Sequence, residues 1–389
     1  MTKLHMNYKD AFRALRLGFS AKKIWIMSQG LLVGFAGYAL ATYLAQVVSG
    51  NDFLTVWETH RLLPFLDPAL GSFPWYAWVI HGAGALFFIA SVLVSGTAVS
   101  KVTFEQLRGD EFYESKEAYR FAFRHLASVV FSPLMIIGFV AVIVVAGLLL
   151  SALGAIPYVG EILVGLLVLP ALAASFFIVY LLIVLLCSLL IGPSVVGATK
   201  NDTFDTIFEV FSCVNEQPAR LVLYVGTAAV LSKVGAMLFG LATSAAGRVG
   251  YFVLQAFTGH KVPDLMYNAA FYFQVSLPSW TPSIGRSALE QYANLVGLPQ
   301  MYRVTDFVPL GWSYTVGALA AGASLYIIAL LVAAYGCSVW YTANTLNYAV
   351  LAHKKDEKNI LEVPEDEEEL IEPVPQPAPA EPKPEQKQG

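Results

Sequence analysis

"KEAYRFAFRHLASVVFSPLMIIGFVAVIVVAGLLLSAL" (residues 116–153) holds two kinds of helix in one stretch. In its first third, Tyr119, Ala122, Phe123 and Leu126 recur at i, i+3, i+4 and i+7, with Lys116, Arg120 and Arg124 on the intervening positions. That spacing makes an amphipathic helix. From Ala127 to Leu153 no charge remains, and a run of this length exceeds the ~20 apolar residues needed to cross ~30 Å of hydrocarbon. The stretch is therefore a polar-faced helix leading directly into a membrane span.

The rest of the chain repeats this arrangement. Five more segments are long and apolar enough to cross: Ile24 to Val48, Trp75 to Val99, Glu161 to Ile191, Arg220 to Ala246 and Trp312 to Leu351. None alternates with period 2, and backbone groups in lipid must be satisfied within the segment, so the predicted fold class is all-α, a polytopic bundle of six spans. The motif "KDAFRALRLGF" from Lys9 shares the order Lys, acid, Ala, aromatic, Arg with "KEAYRFAFRHL" from Lys116. "FDTIFEVFSCV" from Phe204 keeps the hydrophobic spacing without the basic residues. Ser115 and Asp202 stand where N-caps belong, and Asp205 imitates a capping box. The expected organisation is three amphipathic-helix-plus-hairpin units: a basic helix in 1–23, surface helices in 115–126 and 202–214, and two spans after each.

Composition agrees with that class. Of 389 residues, 57% are hydrophobic and only 13% charged, against ~25% charged in soluble domains; the mean hydropathy is +0.60. The net charge of -4 is set by residues 356–389, which hold 11 of the 28 acidic groups. Lys3, Lys9, Arg13, Arg16, Lys22 and Lys23 precede the first span, and Lys101, Arg108, Lys116, Arg120 and Arg124 lie between the second and third, whereas the 49–74 loop carries only Arg61. Cytoplasmic loops carry the excess of Lys and Arg, so both termini are expected in the cytoplasm. Arg13, Arg16, Arg120 and Arg124 are the candidate membrane-surface basic residues, facing anionic headgroups. Residues 247–310, rich in Tyr, Phe and Trp, are expected to form an ordered extracytoplasmic cap, with "SIGRSALEQYANL" from Ser283 as a short helix and Trp280 and Trp312 at the headgroup level. From 354 onward, "EDEEELIEPVPQPAPAEPKPEQKQG" and its flank read as a disordered acidic, Pro-rich cytoplasmic tail.

Signatures of chemistry are sparse. The chain has no GxGxxG, GxxxxGK[ST], GxSxG or HExxH. The six histidines and three cysteines show no metal-ligand spacing, so no metal, cofactor or catalytic residue is expected. The basic residues alternate with apolar ones, which suits a lipid surface and not a nucleic acid. One intramembrane charge stands out: Lys233 in "VLSKVGAML" (230–238). Its insertion costs ~2.5–3.5 kcal/mol at a bilayer centre. Counted from Arg220 it comes to ~20 Å from the inner boundary, the depth expected of His81 counted from Trp75. A polar site of Lys233, His81, Ser232 and Glu161, with Glu161 as the acidic partner, is the candidate that this counting yields.

"KEAYRFAFRHLASVVFSPL", "GATKNDTFDTIFEVFSCVNEQPARLVLY" and "YTANTLNYAVLAHKKDEKNILEV" resemble an uncharacterised group of bacterial multi-pass inner-membrane proteins. More distantly, residues 1–363 are similar to the membrane domain fused to some glycerophosphodiester phosphodiesterases. The resemblance implies a bacterial cytoplasmic (inner) membrane location and this architecture; it transfers no active-site residue. The expectation is a non-enzymatic scaffold or accessory subunit binding membrane lipids, or a protein partner through 247–310 or the acidic tail. The alternative is a transporter or channel for a small solute with its site around Lys233.

Overall fold

A computed structural model of the chain describes residues 8–67, 72–273, 281–296, 311–356 and 360–361, and among these every regular element is helical. Six helices have the length and apolarity to cross a membrane: α2 (Ala21–Val48), α4 (Trp75–Arg108), α6 (Leu126–Leu153), α7 (Val159–Thr199), α9 (Pro218–Thr258) and α12 (Trp312–Asp356). Shorter helices join them: α1 (Ala14–Gly18), α3 (Phe53–His60), α5 (Ser115–Arg124), α8 (Thr203–Glu216), α10 (Lys261–Tyr272) and α11 (Ser283–Val296). α11 falls where the sequence placed it. Trp280, residues 297–310 and the acidic tail from 362 lie outside the described residues.

Local chemistry accounts for the boundaries. Gly109 ends α4 at φ +109°, a left-handed position suited to glycine, and Asp110 N–H returns 3.0 Å to Glu105 O. Asp202 caps α8 as expected, its carboxylate accepting from Asp205 N–H at 2.9 Å. The cap of α5 is Glu114, one residue before the expected Ser115: Glu117 folds back to accept the Glu114 N–H at 3.4 Å. The N-terminal segment also differs from expectation. It is not one amphipathic helix but a 3₁₀ turn over Tyr8–Arg13 followed by α1, with the chain turning at Phe19 before α2. The reason is its contact with α12. Tyr335 donates to Leu15 O at 3.1 Å and Ser338 to Gly18 O at 2.8 Å, and a Cβ on Gly18 would lie 2.9 Å from Val339 Cα.

α2 and α4 pack closely and antiparallel. Ser91 donates to Gly30 O at 2.9 Å, and a Cβ on Gly30 or Gly34 would fall 2.0 Å from Ser95 Oγ or 3.0 Å from Phe88 Cδ2. α9 packs on α12, with Ser232 donating to Gly336 O at 2.7 Å and Asn347 to Tyr224 O at 2.8 Å. We call the end where α2 begins and α4 and α12 finish the basal end. There residues 93–104 of α4, 191–198 of α7 and 341–352 of α12 are buried on every side. Ser100 meets Ser194 at 3.3 Å and Thr103 meets Thr342 at 3.3 Å across this junction. At the distal end, no residue of 137–153 or 161–180 is buried. α10 caps part of that end: Leu265 lies 2.8 Å from a Cβ built on Gly317, Tyr326 donates to Phe273 O at 2.7 Å, and Arg61 sits 4.8 Å over the Phe271 ring.

Candidate functional site: a lateral groove and the buried charges

The expected polar layer is not assembled. α9 does not stop at Ala246 but continues to Thr258, so Lys233 stands 25 residues, about 38 Å, from the distal end of its helix. His81 is six residues, about 9 Å, from the distal start of α4. The two are therefore at different levels. Neighbouring contacts say the same: a Cβ on Gly235 would lie 3.1 Å from Leu15 of α1, which sets this stretch of α9 at the level of the N-terminal segment. Lys233 is exposed on the outside of α9, and among the described residues it makes no ion pair or hydrogen bond. Ser232 is committed to Gly336 O. His81 Nδ1 lies 3.0 Å from Thr42 Oγ1, with its ring against Tyr38 and Trp78. Glu161 is exposed in the first turn of α7, where a carboxylate complements the helix dipole.

Two lysines that sequence reading counts as surface charges are buried instead. Lys23 is 0% exposed and donates to Leu17 O at 3.0 Å. Lys101 is 3% exposed, ion-paired with Glu105, and lies 4.9 Å over the Phe121 ring and 5.5 Å over Phe104. The i, i+4 spacing of Lys101 and Glu105 was the available signal. Asn344 is also fully buried, and neither atom of its amide has a hydrogen-bond partner among the described residues. Of the candidate surface residues, Arg13 is 3.6 Å from Asp10, while Arg16, Arg120 and Arg124 are exposed. Among the described residues no group of His, Cys, Asp or Glu is arranged to hold a metal ion.

A well-formed concavity lies elsewhere. A groove of about 990 Å³ runs along the outside of the first hairpin, with α2 and α4 as its back, α6 at its side and α5 closing its basal end. Trp25, Gln29 and Val33 line it at i, i+4 and i+8 of α2; Phe87, Ala90 and Ser91 come from α4, Lys116, Tyr119 and Phe123 from α5, and Phe131 from α6. Tyr119 clamps the floor in place, donating to Ile26 O at 2.7 Å and lying 3.3 Å from Ser95 Oγ. Burial raises its phenol pKa, with the Ser95 contact opposing. Lys22 holds the preceding loop by donating to Glu111 O at 3.0 Å and Tyr113 O at 3.1 Å. Burial, with Glu105, Glu117 and Asp110 adding to it, pushes the Tyr113 phenol up to about 12. Gln29 lines the groove, and its amide makes no hydrogen bond to any described residue.

Six helices able to cross a bilayer define a multi-pass α-helical membrane protein. Compared with protein-family models, with curated proteins and with solved structures, the chain matches none.

Proposed function

We propose that the chain is a non-enzymatic scaffold or accessory subunit of the bacterial inner membrane, with both ends in the cytoplasm, that holds lipid and protein partners at its surface. The observation that carries this reading is the lateral groove, whose lining residues Trp25, Gln29 and Val33 run along α2; in a bilayer its open side would face the acyl chains. Such a trough receives a membrane component and does not offer a route from one side to the other. The basal junction suits a rigid platform, because its buried polar groups bond helix to helix. Residues 247–310 and the acidic tail supply surfaces for a protein partner.

Transport of a small solute is the competing reading. It needs ionisable groups converging within the membrane, and the exposed position of Lys233, apart from His81 and Glu161, weighs against it. Gentle extraction at native expression, followed by identification of co-purifying molecules, tests the proposal. A companion protein or a phospholipid in stoichiometric amount is expected. Solute flux in liposomes that is abolished by Lys233→Met would overturn it.

A further inference from the structure

We infer that the lateral groove is a site for one anionic glycerophospholipid of the leaflet at the basal end, its acyl chain along α2, α4 and α6 and its phosphate at Lys116 and Arg120. The inference rests on the lipid-binding half of the proposed function and gives it a ligand class.

The polarity of the groove is graded along its length. At the basal end stand Trp25, a side chain suited to the headgroup level, and Lys116, the first basic residue of the floor helix. One turn further along α2 is Gln29, with its amide free to donate to an ester carbonyl. Another turn brings Val33, and opposite it Phe87, where the lining is apolar. A phosphate, an ester and a hydrocarbon chain follow in the same order in a glycerophospholipid. An apolar trough of about 990 Å³ left empty would forfeit dispersion contacts along its walls, and acyl chains are what surrounds it. A partner's transmembrane helix, ~10 Å across, fits less well, because α5 closes the basal end that it would have to pass.

Charge selects the headgroup. Lys116 and Arg120 are one turn apart on α5, both exposed, and neither makes an ion pair among the described residues. Glu114 caps the helix and Glu117 lies in its first turn, but Glu117 is turned back on the Glu114 N–H. Basic groups between transmembrane helices on the cytoplasmic side are recognised sites for anionic headgroups.

The test is native mass spectrometry of the full chain from vesicles of phosphatidylglycerol and phosphatidylethanolamine with identical acyl chains. One retained lipid is expected, with phosphatidylglycerol favoured. Lys116→Gln and Arg120→Gln should each lower that preference about fivefold without emptying the groove. Ala90→Phe fills the groove and should remove both lipids, and Val33→Trp does the same from the α2 side should the first variant fail to fold. Equal retention of the two lipids by the unaltered protein would overturn the headgroup assignment and leave the scaffold reading standing. Retention unchanged in both filled variants would overturn the groove itself. Flux sensitive to Lys233→Met would instead remove the scaffold reading.

Discussion

The basal junction of α4, α7 and α12 and the distal half of the α6–α7 hairpin are both helical, yet they pack in opposite ways. At the base, a Cβ on Gly197 would lie 2.7 Å from Ser100 Cβ and 3.1 Å from the backbone nitrogen of Lys101. Along the hairpin, Gly138, Gly147 and Gly165 face open space. The hairpin is the more apolar of the two, and it is the one left unpacked. Lipid tails solvate Leu and Val as well as another helix does, so apolarity alone brings no two spans together. Small residues that permit close approach, and hydroxyls and amides that bond across it, do. The base has Ser100 with Ser194, Thr103 with Thr342 and Asn347 with Tyr224 O.

The largest effect expected from this contrast is that of Lys101→Ala. Glu105, its side chain 16% exposed, would lose its ion-pair partner in the packed base. Breaking such a buried pair costs ~3–5 kcal/mol, to be read as a fall in unfolding free energy in detergent; a loss below ~1 kcal/mol would mean that the base is wetter than its packing implies. Next comes a matched pair. Gly197→Leu forces a side chain against the α4 backbone and should cost ~1–3 kcal/mol, whereas Gly165→Leu should change stability by no more than ~0.5 kcal/mol. Equal losses would erase the distinction between the two regions.

Asn344→Leu should raise the unfolding free energy, by ~1 kcal/mol, because it removes a buried amide that has no partner among the described residues. A drop would show that the amide is bonded. The smallest effect concerns a packed region at the distal end. His60 is buried against Phe65, ring centroids 4.4 Å apart, and burial lowers its pKa while Asp67 opposes the shift. The folded state thus favours the neutral ring. Its contribution is complete above the unfolded value of about 6.5 and is lost as the pH falls below it, so the melting temperature should decline on mild acidification. His60→Gln should flatten that decline, and an identical slope in the variant would place the pH sensitivity elsewhere.

The six spans, the breaks between them and the surface helices α5 and α8 were legible because each is written in local periodicity. Helix lengths were less so. Gly247, Arg248 and Gly250 read as the end of a span, but α9 passes through all three to Thr258. Counting Lys233 from Arg220 and His81 from Trp75 across a slab of ~30 Å brought the two to one level on paper; the actual helices run on, α9 to Thr258 and α4 to Arg108, and separate them. The buried state of Lys23 and Lys101 was hidden for a different reason. A count of basic residues treats each as solvated, while their burial depends on tertiary contacts: Lys23 folds back onto Leu17 O in the segment that α12 holds across 320 positions of sequence, and Lys101 is covered by Phe121 of α5 and lies beside Gly197 of α7. Trp25, Gln29 and Val33 share one face of α2, but nothing in their residue types marks that face apart from the rest of the span. That α5 and α6 leave this face uncovered is decided by tertiary packing, to which the local pattern gives no access.

The most direct test of the packed base is disulfide trapping between α4 and α7 in a background lacking Cys187, Cys213 and Cys337. Ser100→Cys with Ser194→Cys, whose hydroxyls are 3.3 Å apart, should cross-link in membranes, as should Ser132→Cys with Ser188→Cys within the α6–α7 hairpin, at 3.4 Å. Cross-linking confined to the second pair would show a hairpin that forms alone without docking on α4, and would contradict the basal junction on which this account stands.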